Sequence, residues 1–345
     1  MRLQDLLGIE LPIIQAPMAG VQGSELVVAV CEAGGLGSLP CAMLGPEAIS
    51  SEIAQIKSGT SRPFNVNFFC HTPPVLNPAV EARWQQALQP YYEEMGLDIG
   101  AIAPGPGRAP FTAETAELLA QIKPPVVSFH FGLPADDLLT LVRSWGAKIL
   151  ASATTVAEAQ WLEARGVDAV IAQGTEAGGH RGHFLSDDLG IQSSTRSLVA
   201  EIVSRVSVPV VAAGGIATAP DVVDLINTGA AGVQVGTAYL LCPEATTRPL
   251  HRAALASDAA RDTAITNVFS GRPARGIVNR LIRERGPISP LAPDFPLAAN
   301  ALGPLRAEAE KRGSGDFSPL WAGQNVAGCR DVSAVTLTRE LAAML

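Results

Sequence analysis

Several large protein classes are excluded by what the 345-residue chain lacks. No stretch approaches about 18 uncharged apolar residues, so we expect no membrane-spanning helix. Lys and Arg total 25 against 33 Asp and Glu, and no basic cluster stands out, so we expect no nucleic-acid partner. Walker A, G-x-S-x-G and strand-following G-x-G-x-x-G motifs are also absent. What remains is a mildly acidic globular chain whose function has to be inferred from less common patterns.

Cysteine is scarce and scattered along the chain. The five residues Cys31, Cys41, Cys70, Cys242 and Cys329 form no C-x-x-C pair, and their number is odd. Such a set is typical of reduced thiols rather than of a disulfide framework. We therefore expect a cytoplasmic protein, and a chain of this length buries a large core without disulfides or metals.

Short apolar runs alternate with amphipathic segments through most of the chain. The segment 46–59 shows the helical pattern, because Pro46 begins it, Ile49, Ile53 and Ile56 share one face, and a glycine ends it. Eight apolar runs have the length and composition of buried parallel strands. They cover residues 11–18, 35–40, 63–69, 124–132, 147–154, 168–174, 208–215 and 231–240. Helices are predicted at 25–34, 46–59, 135–146, 155–166, 194–206 and 218–229, with a closing helix at 331–344.

Eight strands that alternate with helices predict an α/β fold of the (β/α)8 TIM-barrel type, with a doubly wound open sheet as the alternative. Two segments break the alternation. Residues 70–124 form an insertion or elaborated loop with a helix-like run at 79–95, and residues 243–325 are rich in proline and arginine. We interpret 243–325, called the cap below, as a small segment over the barrel mouth. The predicted division is a barrel of residues 1–242 and 326–345, plus the cap.

Glycines follow the last two predicted strands, where a barrel of this type places its active site. Gly214 and Gly215 follow the seventh strand, and Gly236 follows the eighth. Backbone N–H groups at such positions approach a ligand closely and, with the start of a helix, bind anions. The pattern predicts a phosphate site, although each glycine taken alone also fits a tight turn. Without the common nucleotide motifs, the predicted ligand is FMN or a molecule resembling a sugar phosphate.

The loop after the sixth strand combines glycines with polar side chains in the sequence GTEAGGHRG (174–182). This backbone favours wrapping around a flat or anionic ligand, with Gln173 as a hydrogen-bonding group, His180 as a proton carrier and Arg181 as a cation. The alternative is an ordinary solvent-facing loop. His180 and His183 have the spacing of metal ligands on a helix. The surrounding glycines disfavour a helix and no third ligand is evident, so we predict no metal site.

His130, in SFHFG (128–132), is the best candidate for a general base. It falls at the end of the fourth predicted strand, between Phe129 and Phe131. Burial beside two aromatic rings lowers the pKa of an imidazole and keeps it neutral, so that it can accept a proton from carbon. The alternative is a hydrogen-bonded core histidine, and strand alternation alone does not decide whether the ring faces the barrel mouth.

Six motifs in order and spacing resemble the nitronate monooxygenase family over nearly the whole chain. They are QAPMAG (15–20), NVNFF (65–69), SFHFG (128–132), AQGTEAGGHRG (172–182), AAGGIA (212–217) and QVGTAYL (234–240). Any one of these motifs alone would be weak evidence. Their combination makes the resemblance specific.

The resemblance implies a barrel that binds FMN without a covalent bond. His130 corresponds to the family's catalytic histidine. Ala16, Pro17 and Met18 would lie against the isoalloxazine ring, and Gln324, in LWAGQ (320–324), is a further candidate contact. The other predicted FMN contacts are Asn67, Gln173, Gly178, Gly179, Gly214, Gly215, Gln234, Val235, Gly236 and Thr237, of which the last four would hold the phosphate.

The implied chemistry is the oxidative denitrification of alkyl nitronates, with propionate 3-nitronate as the expected substrate and O2 as the second reactant. The flavin takes an electron from the nitronate, O2 reacts with the resulting radicals, and a carbonyl compound forms with nitrite or nitrate. His130 would deprotonate neutral nitroalkanes, whereas nitronates arrive already deprotonated. A contact of His180 or Arg181 with the anionic substrate is a hypothesis that goes beyond the resemblance.

Two other functions remain open from the sequence. An FMN-dependent NAD(P)H:quinone or enoyl-thioester reductase would share the barrel and the glycine loops. A barrel that binds a phosphate ligand without a flavin would share only the phosphate site. The sequence is compatible with a homodimer as well as with a monomer.

Overall fold

The computed structural model describes residues 2–102 and 108–345. The strands are β1 Ile13–Gln15, β2 Ser38–Pro40, β3 Asn65–Phe69, β4 Val126–His130, β5 Lys148–Ala153, β6 Ala169–Gln173, β7 Gly179–His180, β8 Val210–Ala213, β9 Gly232–Val235, β10 Thr263–Thr266 and β11 Ala274–Ile277. The helices are α1 Leu3–Leu7, α2 Ser24–Glu32, α3 Pro46–Gly59, α4 Pro78–Met95, α5 Ala113–Ile122, α6 Asp136–Ser144, α7 Val156–Ala164, α8 Thr195–Val203, α9 Ala219–Asn227, α10 Pro249–Leu255, α11 Arg280–Arg285, α12 Ala298–Lys311 and α13 Ala334–Leu341.

Eight parallel strands form a barrel in the order β1-β9-β8-β6-β5-β4-β3-β2. A parallel bridge between Ile14 and Leu36, just before β2, brings the two edges of the sheet together. The strands are buried almost throughout, because side chains fill the barrel on one side and helices cover the other. The prediction of a (β/α)8 barrel is confirmed, and the alternative of an open doubly wound sheet is wrong.

Local sequence signals explain where the barrel helices begin. Helix α3 has the predicted bounds, with Pro46 in its first turn and three isoleucines buried on one face. Thr155 caps α7 by accepting a hydrogen bond from the backbone N–H of Glu158. Thr218 and Asp221 form a reciprocal capping box at α9. These caps fix the helices that follow β5 and β8 and thereby the loops at the barrel mouth.

The segment 70–124 divides between two parts of the molecule. Helix α4 packs against α12 of the cap around a second hydrophobic cluster, which includes Trp84 and Tyr92. Trp84 Nε1 donates to the carbonyl of Ala298 at 3.2 Å, and Tyr92 Oη donates to that of Ala301 at 2.5 Å. Helix α5, which our sequence analysis did not predict, instead packs against α3 and α6 beside the barrel. The cap therefore shares its core with a segment from between β3 and β4.

A small antiparallel sheet ties the loop after β6 to the cap. Its order is β10-β11-β7, and β7 consists of only two residues of that loop. His180 pairs with Ala274 and Gly179 pairs with Arg275. This pairing was not predicted, because a two-residue strand among glycines carries no periodic signal. The polar loop at the barrel mouth is thus held by the cap.

All five cysteines are free thiols, as expected. Burial raises the pKa of the Cys31 thiol to about 11, which keeps it protonated near neutral pH. Among the helices of residues 2–102 and 108–345, none combines the length and the apolar character needed to cross a bilayer.

Candidate active site

A cavity of about 330 Å³ lies between the carboxyl ends of the barrel strands and the cap. It is lined by residues at or just after the carboxyl ends of the barrel strands, which is the face where barrels place their sites. Fifteen of the predicted site residues line it: Ala16, Pro17, Met18, Asn67, His130, Gln173, Gly178, Gly179, His180, Gly214, Gly215, Gln234, Val235, Gly236 and Thr237. The structure therefore brings together residues that are far apart in the sequence.

The turns after β8 and β9 present free backbone donors to this cavity. Gly214 and Gly215 have φ values of 122° and 72°, a left-handed backbone that glycine adopts without strain. No described residue accepts a hydrogen bond from the backbone N–H of Gly215, Gly236 or Thr237. Three N–H groups without protein partners on two adjacent turns form a suitable site for an anion.

Two amide side chains that line the cavity offer oxygen acceptors. Gln234 Oε1, on β9, is buried and has no hydrogen-bond partner among the described residues, although the side chain lines the cavity. Asn67, on β3, uses its Nδ2 to bond the hydroxyl and carbonyl of Ser128, at 2.9 and 3.2 Å. This arrangement leaves its Oδ1 as an acceptor. A ligand with N–H donors would satisfy both oxygens, and an unpaired buried oxygen is costly without such a partner.

His130 ends β4, beside Phe69 of β3, and its ring lies at the cavity wall. Phe131, the next residue, has a φ of 69°, which is rare for a side chain of this size and turns the backbone sharply. His130 Nε2 lies 3.1 Å from the carbonyl oxygen of His180, and Nδ1 lies 3.0 Å from Ser152 Oγ. Because a carbonyl only accepts, Nε2 carries the proton and Nδ1 accepts from the serine hydroxyl.

Burial lowers the pKa of His130 to about 3, because it removes the water that would stabilise the charged imidazolium. Arg272 and Arg181 lower it further through charge repulsion, while the bond to the His180 carbonyl opposes the shift. The imidazole is therefore neutral near physiological pH, which agrees with the prediction from its aromatic neighbours in the sequence.

Gln173 holds the loop that positions His130. Its Nε2 donates to the carbonyl of His180 at 2.9 Å, and its Oε1 accepts from the backbone N–H of Gly182 at 2.7 Å. The side chain lines the cavity, but its amide is already paired with the loop. The His180 carbonyl thus receives hydrogen bonds from both Gln173 and His130, which fixes it in place.

His180 itself projects its ring into an aromatic part of the cavity. The ring centroid lies 5.3 Å from that of Phe295 and 5.5 Å from that of Trp321. Its Nε2 lies 2.9 Å from Ser270 Oγ, and burial holds the pKa of His180 well below its ordinary value. A neutral His180 can contact a ligand by packing and hydrogen bonding, without contributing charge.

Two predicted contacts do not line the cavity. Arg181 is fully buried and directs its guanidinium to the carbonyls of Gly174 and Gln173 and to Gln192 Oε1, at 2.6 to 2.8 Å. This placement does not favour a contact of Arg181 with the substrate, because the guanidinium is used to hold the loop. Gln324 is exposed, and its backbone N–H bonds the carbonyl of Glu176. Its neighbours Gly323 and Asn325 line the cavity instead.

His183 and His180 contact different residues. Its ring is buried, and Nε2 is 3.6 Å from a carboxylate oxygen of the exposed Asp187. Burial lowers the pKa of His183 to about 4. Within residues 2–102 and 108–345, no group of three His, Cys, Asp or Glu side chains is placed to hold a metal ion.

Charged residues that were not predicted from the sequence also line the cavity. Arg248 and Arg306 both bond Glu310, and Arg108 approaches from the segment between β3 and β4. His251, to which we assigned no role, also lines the cavity and bonds the carbonyl of Trp321 at 3.1 Å. Local sequence gave no sign of these residues, because only the packing of the cap brings them to the barrel mouth.

The chain matches the family model described as nitronate monooxygenase over residues 1–343. It is 41% identical to the nitronate monooxygenase of Pseudomonas aeruginosa, covering 99% of this chain and 97% of that protein. It is 40% identical to that of Paraburkholderia phytofirmans, with 98% and 93% covered. The crystal structure of a nitroalkane oxidase from Streptomyces ansochromogenes superposes with a TM-score of 0.89 at 39% identity, covering 99% and 96%. The chain therefore belongs to the nitronate monooxygenase family of oxidoreductases.

Proposed function

We propose that the enzyme uses FMN and O2 to oxidise alkyl nitronates, with a carboxylated nitronate such as propionate 3-nitronate as its substrate. One observation carries the proposal: a backbone anion site at the ends of β8 and β9 shares a cavity with the neutral imidazole of His130. The products would be a carbonyl compound with nitrite or nitrate. The family assignment supports the reaction class.

The family is one of flavoproteins, and the residues around the cavity fit FMN. The N–H groups of Gly215, Gly236 and Thr237 would hold its phosphate. Gln234 Oε1 and Asn67 Oδ1 would accept hydrogen bonds from the ring system. Bound FMN would supply the electron acceptor for the nitronate and the electron donor for O2.

His130 decides which protonation state of the substrate the protein can use. Its neutral imidazole can accept a proton from the carbon next to the nitro group of a neutral nitroalkane. A nitronate has already lost that proton and needs only to be positioned. Phe69 and Trp321 line this region, and Phe295 packs against Phe69 and His180, so the surroundings of the reacting carbon are largely apolar.

The charges in the cavity favour a substrate with a second negative group. Three guanidiniums and one carboxylate line it, from Arg108, Arg248, Arg306 and Glu310. Arg248 and Arg306 pair with Glu310, whereas Arg108 forms no ion pair with any described carboxylate. Burial and the nearby Arg306 lower the pKa of Arg108, which an anionic ligand would reverse. A carboxylate on the substrate would satisfy this unpaired cation.

Replacing Arg108 with glutamine should therefore raise KM for propionate 3-nitronate. We expect an increase of about 10- to 100-fold, because a hydrogen bond to a charged group contributes roughly 1.5–3 kcal/mol. Ethylnitronate, which has no carboxylate, is the control substrate. Its KM should change less than about threefold. An equal rise for both nitronates would show that Arg108 does not recognise the carboxylate.

The overall proposal is tested by steady-state comparison of propionate 3-nitronate under air with NADH plus a quinone. We expect turnover of the nitronate and no bleaching of the flavin by NADH under anaerobic conditions. Rapid bleaching by NADH without nitronate turnover would favour the NAD(P)H-dependent reductase. A preparation that is colourless and stays so with added FMN would instead indicate the phosphate-binding barrel without a flavin.

A further inference from the structure

Both nitrogens of the proposed base are occupied by protein groups. His130 Nε2 donates to the His180 carbonyl at 3.1 Å, and Nδ1 receives the hydroxyl of Ser152 at 3.0 Å. The in-plane lone pair of Nδ1 is the only basic site of this tautomer. A substrate carbon that gave its proton directly to Nδ1 would have to occupy the position of Ser152 Oγ.

The ring has little room to turn away from this arrangement. The His180 carbonyl that holds Nε2 is itself held by Gln173 Nε2 at 2.9 Å. On another side, a Cβ at Gly182 would lie 2.7 Å from His130 Cε1 and 3.1 Å from Nδ1, so the backbone there already packs closely against the ring. The imidazole is therefore fixed with Nδ1 directed at Ser152.

Ser152 faces both the base and the cavity. It belongs to β5, the strand next to β4 in the barrel, and it lines the cavity wall although it is only 6% exposed. Among the described residues, its hydroxyl has no hydrogen-bond partner other than His130. A hydroxyl in this place can donate its proton to Nδ1 while its oxygen accepts one from a ligand in the cavity.

We propose that Ser152 relays the proton from the substrate carbon to His130 when the enzyme acts on neutral nitroalkanes. In this step the C–H bond breaks and its electron pair becomes the C=N bond of the nitronate. The carbon proton goes to Ser152 Oγ as the serine proton goes to His130 Nδ1. The imidazolium that results is held between the serine oxygen and the His180 carbonyl, next to the nitronate anion. This inference rests on the proposed function and concerns only the deprotonation that precedes oxidation.

The test compares two substrates in the FMN-loaded enzyme with and without the hydroxyl. Ser152→Ala should lower kcat/KM for nitroethane about 100-fold or more, the usual scale for loss of a positioned proton-transfer group. It should leave kcat/KM for ethylnitronate within about twofold of the value for the unmodified enzyme. Ser152→Thr, which keeps a hydroxyl, should recover part of the nitroethane activity. Ser24→Ala is the matched control, since Ser24 is also 6% exposed but bonds Gln55 and does not line the cavity.

Isotope effects separate a relay from a purely structural role. With the unmodified enzyme, kcat/KM for nitroethane should show an isotope effect greater than one both for substrate deuterated at the reacting carbon and for solvent D2O. Ser152→Ala should keep the substrate effect and lose the solvent effect, because no exchangeable proton then moves with the carbon proton.

Three results would overturn the relay. The first is an unchanged ratio of nitroethane to ethylnitronate activity in Ser152→Ala. The second is a rise in the nitroethane activity of that variant, which would mean that the serine only blocks the base. The third is the absence of a solvent isotope effect in the unmodified enzyme. The last measurement needs no variant and so decides the matter even where Ser152→Ala does not fold. Absence of ethylnitronate turnover in the unmodified enzyme is a different failure, since it contradicts the proposed function itself.

Discussion

His130→Asn should lose nearly all turnover of neutral nitroethane and keep most of its turnover of ethylnitronate. We expect kcat/KM for nitroethane to fall by about 10²- to 10⁴-fold, the range for removal of a general base. Gln173 still donates to the His180 carbonyl at 2.9 Å in this variant, so the loop keeps one of the two hydrogen bonds that hold it there. The variant removes the basic nitrogen, and a nitronate does not need it.

His71→Asn is the matched control for this experiment. His71 is also buried beside Phe131 and Phe295, and burial lowers its pKa to about 4, but it does not line the cavity. Both substrates should react normally with that variant. Equal losses on nitroethane and ethylnitronate in His130→Asn would rule out the base role and indicate that the imidazole organises the cavity.

The pH dependence gives a second check on His130. Its pKa is lowered to about 3, so the proton-accepting form is fully present well above that pH. An ordinary histidine titrates between about pH 5 and 8. In this range His130 should cause no loss of nitroethane activity as the pH falls. A decline centred near the ordinary histidine value would mean that the ring is more solvated in the working enzyme.

Gly236→Asp should weaken FMN binding strongly. A carboxylate there would face the cofactor's phosphate across the free N–H groups of Gly236 and Thr237. A Cβ at Gly236 would meet Ala16 Cβ at 3.4 Å and Met18 Sδ at 3.6 Å, which is ordinary contact, so the fold should tolerate the side chain. Like-charge contact costs several kcal/mol, and we expect an increase in Kd of about 100-fold or more.

Gly236→Asn provides the neutral side chain of the same shape. Titration of FMN fluorescence against each apoprotein measures the two Kd values. Asn should bind FMN far more tightly than Asp, because only the charge differs between them. Equal affinities would place the phosphate elsewhere in the cavity.

The barrel could be predicted from sequence because its signals are local. The proline, three isoleucines and glycine of α3 determine both its bounds and its buried face. The strands are shorter than their apolar runs, since 231–240 yields strand only at Gly232–Val235 and then a 3₁₀ helix at Thr237–Leu241. Apolar composition marks burial, and it does not mark where ladder hydrogen bonds stop.

Cavity residues at the ends of barrel strands could be predicted from the sequence. Those that reach the cavity only because distant segments pack together could not. His130 and the glycines after β8 have places fixed by the barrel itself. Arg306 reaches the cavity on α12, which packs on α4, and the contact between Trp84 and Ala298 in this packing joins residues 214 positions apart. Arg181 was predicted at the cavity because an arginine in a glycine loop suggests exposure, whereas this one satisfies buried carbonyls.

The pairing of β7 with β11 links the position of the cap to the hydrogen bond that fixes His130. The carbonyl that fixes the tautomer of His130 belongs to His180, which pairs with Ala274 in the cap. Any movement that lifts the cap from the barrel must either break this pairing or pull the carbonyl away from the imidazole. A cap movement that kept the pairing would therefore carry the proton acceptor out of alignment, whereas one that broke it would leave the base in place.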